Sequence, residues 1–158
     1  MEKKSYLSNM NLYSKTPIKE FTDEELVHIS QQCFDFCYEL FGINRRKHTP
    51  LSICIYDHST ENNWGYILEK KWGEYCAVEN EIRLFKDGIR TLGEFTSTFI
   101  HEYTHSTQPI TTKYYKLVKE YSYTDHPFEV EALSNEKKYN RKLLKQLRQC
   151  YHTSSTSI

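Results

Sequence analysis

Apolar residues recur along this chain at two different periods, and the alternation between those periods divides it into elements. In "FTDEELVHISQQCFDFCYELFG", residues 21–42, Leu26, Ile29, Cys33, Cys37 and Leu40 return at helical spacing and predict one buried face. Thr22 followed by Glu25 spells a capping box, Phe21 and Leu26 are placed as a hydrophobic staple, and Gly42 closes the segment, so a helix of about 19 residues is predicted. The period then shortens to two: in "LSICIYD" (51–57), Leu51, Ile53 and Ile55 alternate with Ser52, Cys54 and Tyr56, as in a strand. "EYCAV" (74–78) and "NEIRLF" (80–85) continue the β character up to a turn at Asp87-Gly88, while 62–71 follows neither period clearly. Helical spacing resumes after a second capping box, Thr91 with Glu94, and Pro109 ends it by biasing the preceding residue towards extended backbone. Beyond a tyrosine-rich connection (111–125), His126-Pro127 suits the cap and first position of a long amphipathic helix, "FEVEALSNEKKYNRKLLKQLRQ". The pattern predicts an α+β domain over 21–152, with an N-terminal helix, a small, mostly antiparallel sheet of three or four strands and two further helices. Residues 1–20 read as an extension and 153–158 as a disordered tail.

The helix after Thr91 contains "FIHEYTHSTQP", two histidines four residues apart with a glutamate after the first. At about 100° per residue, His105, Gln108 and Glu94 fall within about 40° of His101, whereas Leu92, Phe95, Thr96, Phe99, Ile100 and Tyr103 gather on the opposite side. The histidines therefore do not belong to the apolar stripe, and two readings remain: an exposed polar face, or a metal site. With 7 His and 16 Glu in 158 residues, chance supplies such a motif only about 0.03 times. Imidazoles at i and i+4 reach one zinc ion together, and the glutamate beside the first can act on water without itself coordinating. A catalytic zinc ordinarily takes a third protein ligand. The extended motif that supplies a third histidine would need it at 111, where Thr111 stands. Downstream, His126, Glu129, Glu131 and Glu136 are available. On a second wheel Glu129 shares its side with Leu133, Glu136, Leu143, Leu144 and Leu147 and faces inward; Glu131 joins Lys138, Lys142, Lys145 and Gln149 on the solvent side, where a solubilising charge is role enough and Glu131→Ala is expected to be near neutral.

Composition narrows the partners. Lys plus Arg and Asp plus Glu cancel at 21 each, so there is no broad basic field for nucleic acid or an anionic membrane, and Arg45-Arg46-Lys47 is only a short local run. The N-terminus has no apolar core of a cleavable signal, and no stretch approaches the roughly 18 apolar residues of a membrane span. Five cysteines, odd in number and without a Cys-x-x-Cys pair, fit free thiols in a reducing, cytoplasmic setting.

"HEYTH" followed by "PFEVEA" resembles the gluzincin class of zinc metallopeptidases, especially compact single-domain forms in which a Glu-x-x-Ala segment on the next helix supplies the third ligand. The resemblance spans about residues 80–132. It implies a minimal zincin-like domain that binds zinc through His101, His105 and Glu129, uses Glu102 as general base, and cleaves a protein or peptide substrate. Leu133 departs from the acidic or amide residue common after that alanine, which leaves Glu136 or Glu94 to orient the histidines. For stabilising the oxyanion, the connection offers Tyr114, Tyr115, Tyr121, Tyr123 and His126, with Tyr121 and Tyr123 preferred. "NEIRLF" reads either as an edge strand that pairs with an extended substrate or as an internal strand. The competing class is a noncatalytic binding or assembly protein on the same scaffold, with structural zinc or none.

Overall fold

The chain enters its core earlier than its apolar pattern indicates. The structure, a computed structural model, describes residues 10–58, 71–109 and 112–154. Helix α1 (Met10–Lys15) buries Tyr13, and Ile18 follows it into the core. The Ile18 N–H donates to the Arg90 carbonyl and the Leu92 N–H to the Thr16 carbonyl, so this segment clamps the entry to the histidine helix. Residues 10–20 are therefore part of the domain and not an extension. Two large apolar residues five positions apart are too few to show a period.

Helix α2 (Asp23–Phe41) has the expected bounds, with both bonds of its Thr22–Glu25 capping box formed and Gly42 at its end in the left-handed region (φ 69°), where glycine carries no Cβ penalty. Leu26, Ile29, Cys33 and Cys37 are buried, together with Phe36; Leu40, in the last turn, is 38% exposed.

Strands β1 (Ser52–Tyr56), β2 (Gly73–Cys76) and β3 (Glu81–Phe85) form a sheet in the order β1-β3-β2. The fold class is α+β. β2 and β3 pair antiparallel through a tight turn in which Asn80 takes φ 51°, held by its amide bond to the Thr49 carbonyl and by the Tyr75 hydroxyl. β1 pairs parallel to β3, so the antiparallel expectation holds for only one of the two pairings. A long intervening chain permits such a parallel return. Most of the ambiguous 62–71 segment lies outside the described residues. "NEIRLF" is the central strand, and β1 and β2 are the edges.

Helix α3 (Leu92–Thr107) touches α1, α2, β2 and β3. Its stripe, Leu92, Phe95, Phe99, Ile100 and Tyr103, is fully buried. Thr91 Oγ accepts from the Glu94 N–H, but the Glu94 carboxylate turns to the Arg90 N–H (2.7 Å) and guanidinium instead of completing the second capping box as expected. Gln108, before Pro109, is extended (ψ 143°) and ends the helix. The tyrosine-rich connection contains a further helix, α4 (Thr112–Glu120), and α5 (Pro127–Ser154) then crosses α3. α5 starts as expected, with His126 Nδ1 accepting the Phe128 N–H, and it runs past the predicted start of the tail at 153. None of the described helices is long and apolar enough to cross a membrane.

Gly73 is where the edge strand meets α3. A Cβ there would stand 2.7 Å from Thr98 Cγ2 and 2.9 Å from the Arg83 carbonyl oxygen. Gly73→Ala is accordingly expected to destabilise the fold by about 1–3 kcal/mol through overpacking, read by urea unfolding. A variant as stable as the parent would contradict this account of the strand–helix contact.

Candidate metal centre

Two helices build the centre from opposite sides. His101 and His105 project from α3 on the side away from its apolar stripe, and the first turn of α5 brings Glu129 over them. Their side chains are 15%, 17% and 13% exposed, which removes the reading of two histidines on an ordinary solvent face. The two Nε2 atoms are 3.1 Å apart, and Glu129 places Oε2 at 3.3 Å from His101 Nε2 and Oε1 at 3.2 Å from His105 Nε2. Ligands at about 2.0–2.2 Å from one tetrahedral ion stand about 3.3–3.6 Å apart; each of these pairwise separations is close to that, with Glu129 meeting the two rings through different oxygens, and taken one atom per residue the three donors lie within 4.8 Å of one another. Two imidazoles and a carboxylate are a donor set suited to zinc. Among the described residues this is the one group of three or more such side chains that can hold a metal ion.

The surrounding bonds aim the donors. Glu136 faces His101 Nδ1 at 3.2 Å and is itself fixed by the Ser97 hydroxyl at 2.5 Å. A carboxylate only accepts, so His101 Nδ1 donates to Glu136, and Nε2 is the nitrogen directed at Glu129 and His105. His105 Nδ1 lies 2.7 Å from Gln108 Oε1. The local field favours a cation. Burial alone would depress His101, but its bonds to Glu129 and Glu136 outweigh that and raise it to about 10; burial would raise Glu129, but the two imidazoles bring it down to about 2.

Glu102 is buried beside this group yet lines the cleft, and no described residue gives it a hydrogen bond. Burial raises its pKa, with His105 and His101 opposing. The cleft, about 540 Å³, is closed on its other side by Trp72, Gly73 and Glu74 of the edge-strand region and by Tyr114, Tyr123, Phe128 and Leu133.

The residues expected from sequence divide clearly. His101, Glu102, His105 and Glu129 come together. Tyr123 is 76% exposed as a whole, but it lines the cleft, and burial of its hydroxyl end, followed by the nearby Glu129 and Glu102, holds it up at about 12. Tyr121 is not among the cleft-lining residues, and Tyr115 is largely exposed. His126 is buried between Tyr114 and Phe128, with Nδ1 engaged in capping α5, and so stands outside the metal group. Of the two candidates for orienting a histidine, Glu136 does so and Glu94 is tied to Arg90. Leu133, expected inside, borders the open cleft at 38% exposure. Glu131 is exposed as expected but is not merely a solubilising charge, since it accepts from Gln108 Nε2 at 2.8 Å. Gln108 and Ser97 were missed as partners of the site. Gln108's place on the histidine side of the wheel was the available signal.

No known protein family, curated protein or solved structure matches the chain. The assignment of Glu136 to His101 is tested by zinc affinity measured through chelator competition. Glu136→Ala is expected to weaken binding about 10–100-fold, as loss of a ligand's hydrogen-bond partner does, while Glu94→Ala leaves it at the parental value. Equal affinity in the two variants would contradict the assignment.

Proposed function

We propose that this protein is a zinc-dependent metallopeptidase of the gluzincin type, with His101, His105 and Glu129 as ligands and Glu102 as general base. The observation that carries the reading is the junction of two features: a compact three-donor group whose ligand atoms lie within 4.8 Å of one another, and a buried carboxylate beside it, given no hydrogen bond by any described residue, on the wall of an open cleft. Three protein ligands leave one tetrahedral position free, which separates a catalytic zinc from a four-ligand structural one. Zinc held there supplies Lewis acidity, bringing the pKa of water towards about 7 and polarising a carbonyl.

The chain's own groups supply the remaining chemistry. Glu102 takes the proton of the attacking water and returns it to the leaving amine, and its raised pKa suits both steps. Tyr123, protonated at neutral pH, is the tyrosine preferred as a donor to the oxyanion on the strength of its position in the cleft. The substrate-pairing role weighed for "NEIRLF" passes to β2. The Phe85 N–H donates to the Trp72 carbonyl, and in the alternating antiparallel ladder the backbone groups of Gly73 and Tyr75 then point away from β3, along the cleft. An extended peptide fits that edge better than a small molecule does. None of the five cysteines forms a disulfide, in keeping with the cytoplasmic placement.

The test is a peptide-library assay of zinc-loaded parent and Glu102→Gln. The substitution is expected to lower turnover by about 10²–10⁴-fold with zinc content unchanged. Undiminished turnover would remove Glu102 from the mechanism. Stoichiometric zinc with no cleavage by either protein would favour the noncatalytic binding or assembly protein.

A further inference from the structure

We propose that the peptide acted on at this centre carries an acidic flank, and that Lys137 and Arg141 form the subsite that receives it. The cleavage of such a peptide rests on the metallopeptidase reading; its binding does not. Besides the cleft, the seam between α3 and α5 holds a second hollow of about 650 Å³. The two helices run antiparallel there, since Gln108 bonds Glu131 while Ser97, earlier in α3, bonds Glu136, later in α5. The cleft accordingly takes α5 from Phe128 to Glu136 and α3 from Thr98 to Gln108, and the hollow takes α5 from Glu136 to Leu144 and α3 from Gly93 to Ser97. Glu136 belongs to both, so the hollow continues the cleft along the seam.

The two spaces differ in charge. The cleft walls carry four carboxylates, Glu74, Glu102, Glu129 and Glu136, and one lysine, Lys71, which Glu74 holds at 3.2 Å. In the hollow, Glu136 is turned to Ser97 and His101, whereas Lys137 and Arg141 are exposed and neither forms a salt bridge to a described residue. They stand at i and i+4, where like charges repel, and an anion set between them relieves that repulsion. Residues 137–148 contain six cations and no acid in a chain of net charge zero, and of the six only Lys137 and Arg141 line the hollow. Along α5, at about 1.5 Å per residue, the pair lies roughly 12–18 Å beyond Glu129, a span that an extended chain covers in about four to six residues. Acidic side chains that far from the residue at the metal centre reach the pair, and the aromatic wall of Trp72, Tyr114, Tyr123 and Phe128 takes apolar side chains nearer to it.

The test is fluorescence anisotropy with labelled peptide pools, capped at both ends, that carry a central Phe among random neutral residues. Pools with a flank of Glu, Gln or Lys on the N-terminal or the C-terminal side are bound to zinc-loaded Glu102→Gln protein. A Glu flank on one side is expected to bind about threefold to tenfold more tightly than the matching Gln flank. Lys137→Ala with Arg141→Ala should abolish that preference, and Lys137→Glu with Arg141→Glu should transfer it to the Lys pool. With Glu102 restored, the alanine pair should raise KM for the Glu pool and leave kcat unchanged, as loss of uniform binding does. Equal binding of Glu and Gln pools, no measurable binding, or a preference that the alanine pair leaves intact overturns the proposal. The expected binding pattern with no pool cut by the zinc-loaded parent upholds the subsite and removes the peptidase reading; cleavage indifferent to the flank does the reverse.

Discussion

A carboxylate held between two imidazoles in the seam of two helices is the constraint on which this molecule depends. Taking the Glu129 charge out of water costs several kcal/mol unless opposite charge and hydrogen bonds replace the lost solvation. The compensation must come from α3, so α5 has to cross α3 with its first turn above His101 and His105. That crossing in turn requires α3 to be fixed on every other side. Its apolar stripe provides this by packing on the sheet and α2, and the chain around Thr16 and Ile18 pins its N-terminus. Gly73 then lets the edge strand approach α3 at Thr98 and Glu102 closely enough to form the second wall of the cleft.

What could be read beforehand follows from the range of the interactions concerned. Helix α2, the start and stop of α3, and the His126-Pro127 start of α5 depend on residues a few positions apart, and caps and period declared them correctly. The inward face of Glu129 was legible for the same reason, since a wheel needs only its own helix. The parallel return of β1 beside β3, the interior place of "NEIRLF" and the burial of Tyr13 and Ile18 are decided by contacts between distant segments, and no local spacing encodes them. Helix α4 was missed although its nine residues are amphipathic, because they are few, with only Leu117 and Val118 aliphatic, and so set no clear helical period within a tyrosine-rich connection. Glu131 shows the limit of the wheel most clearly. It does lie on the outer side of α5, but a flexible carboxylate in a first turn reaches sideways to whatever helix end lies beside it, here Gln108.

The polar groups around the centre form graded layers. Glu129 meets the two imidazoles directly; Glu136 and Gln108 hold the far nitrogens; Ser97 and Glu131 hold those partners in turn. Three carboxylates, Glu102, Glu129 and Glu136, stand near two imidazoles, so a divalent ion bound between them would meet compensating negative charge. Binding such an ion to the folded state alone would also stabilise it by mass action and so link metal and fold energetically.

The claim that this cage is a zinc site is tested most directly by X-ray absorption at the zinc edge on protein loaded with one equivalent of the metal. The account requires a first shell of nitrogen and oxygen alone at about 2.0–2.2 Å, with the outer-shell scattering of two imidazoles. A sulfur shell at about 2.3 Å, placing the ion on cysteines, or a spectrum of fully hydrated zinc would contradict it.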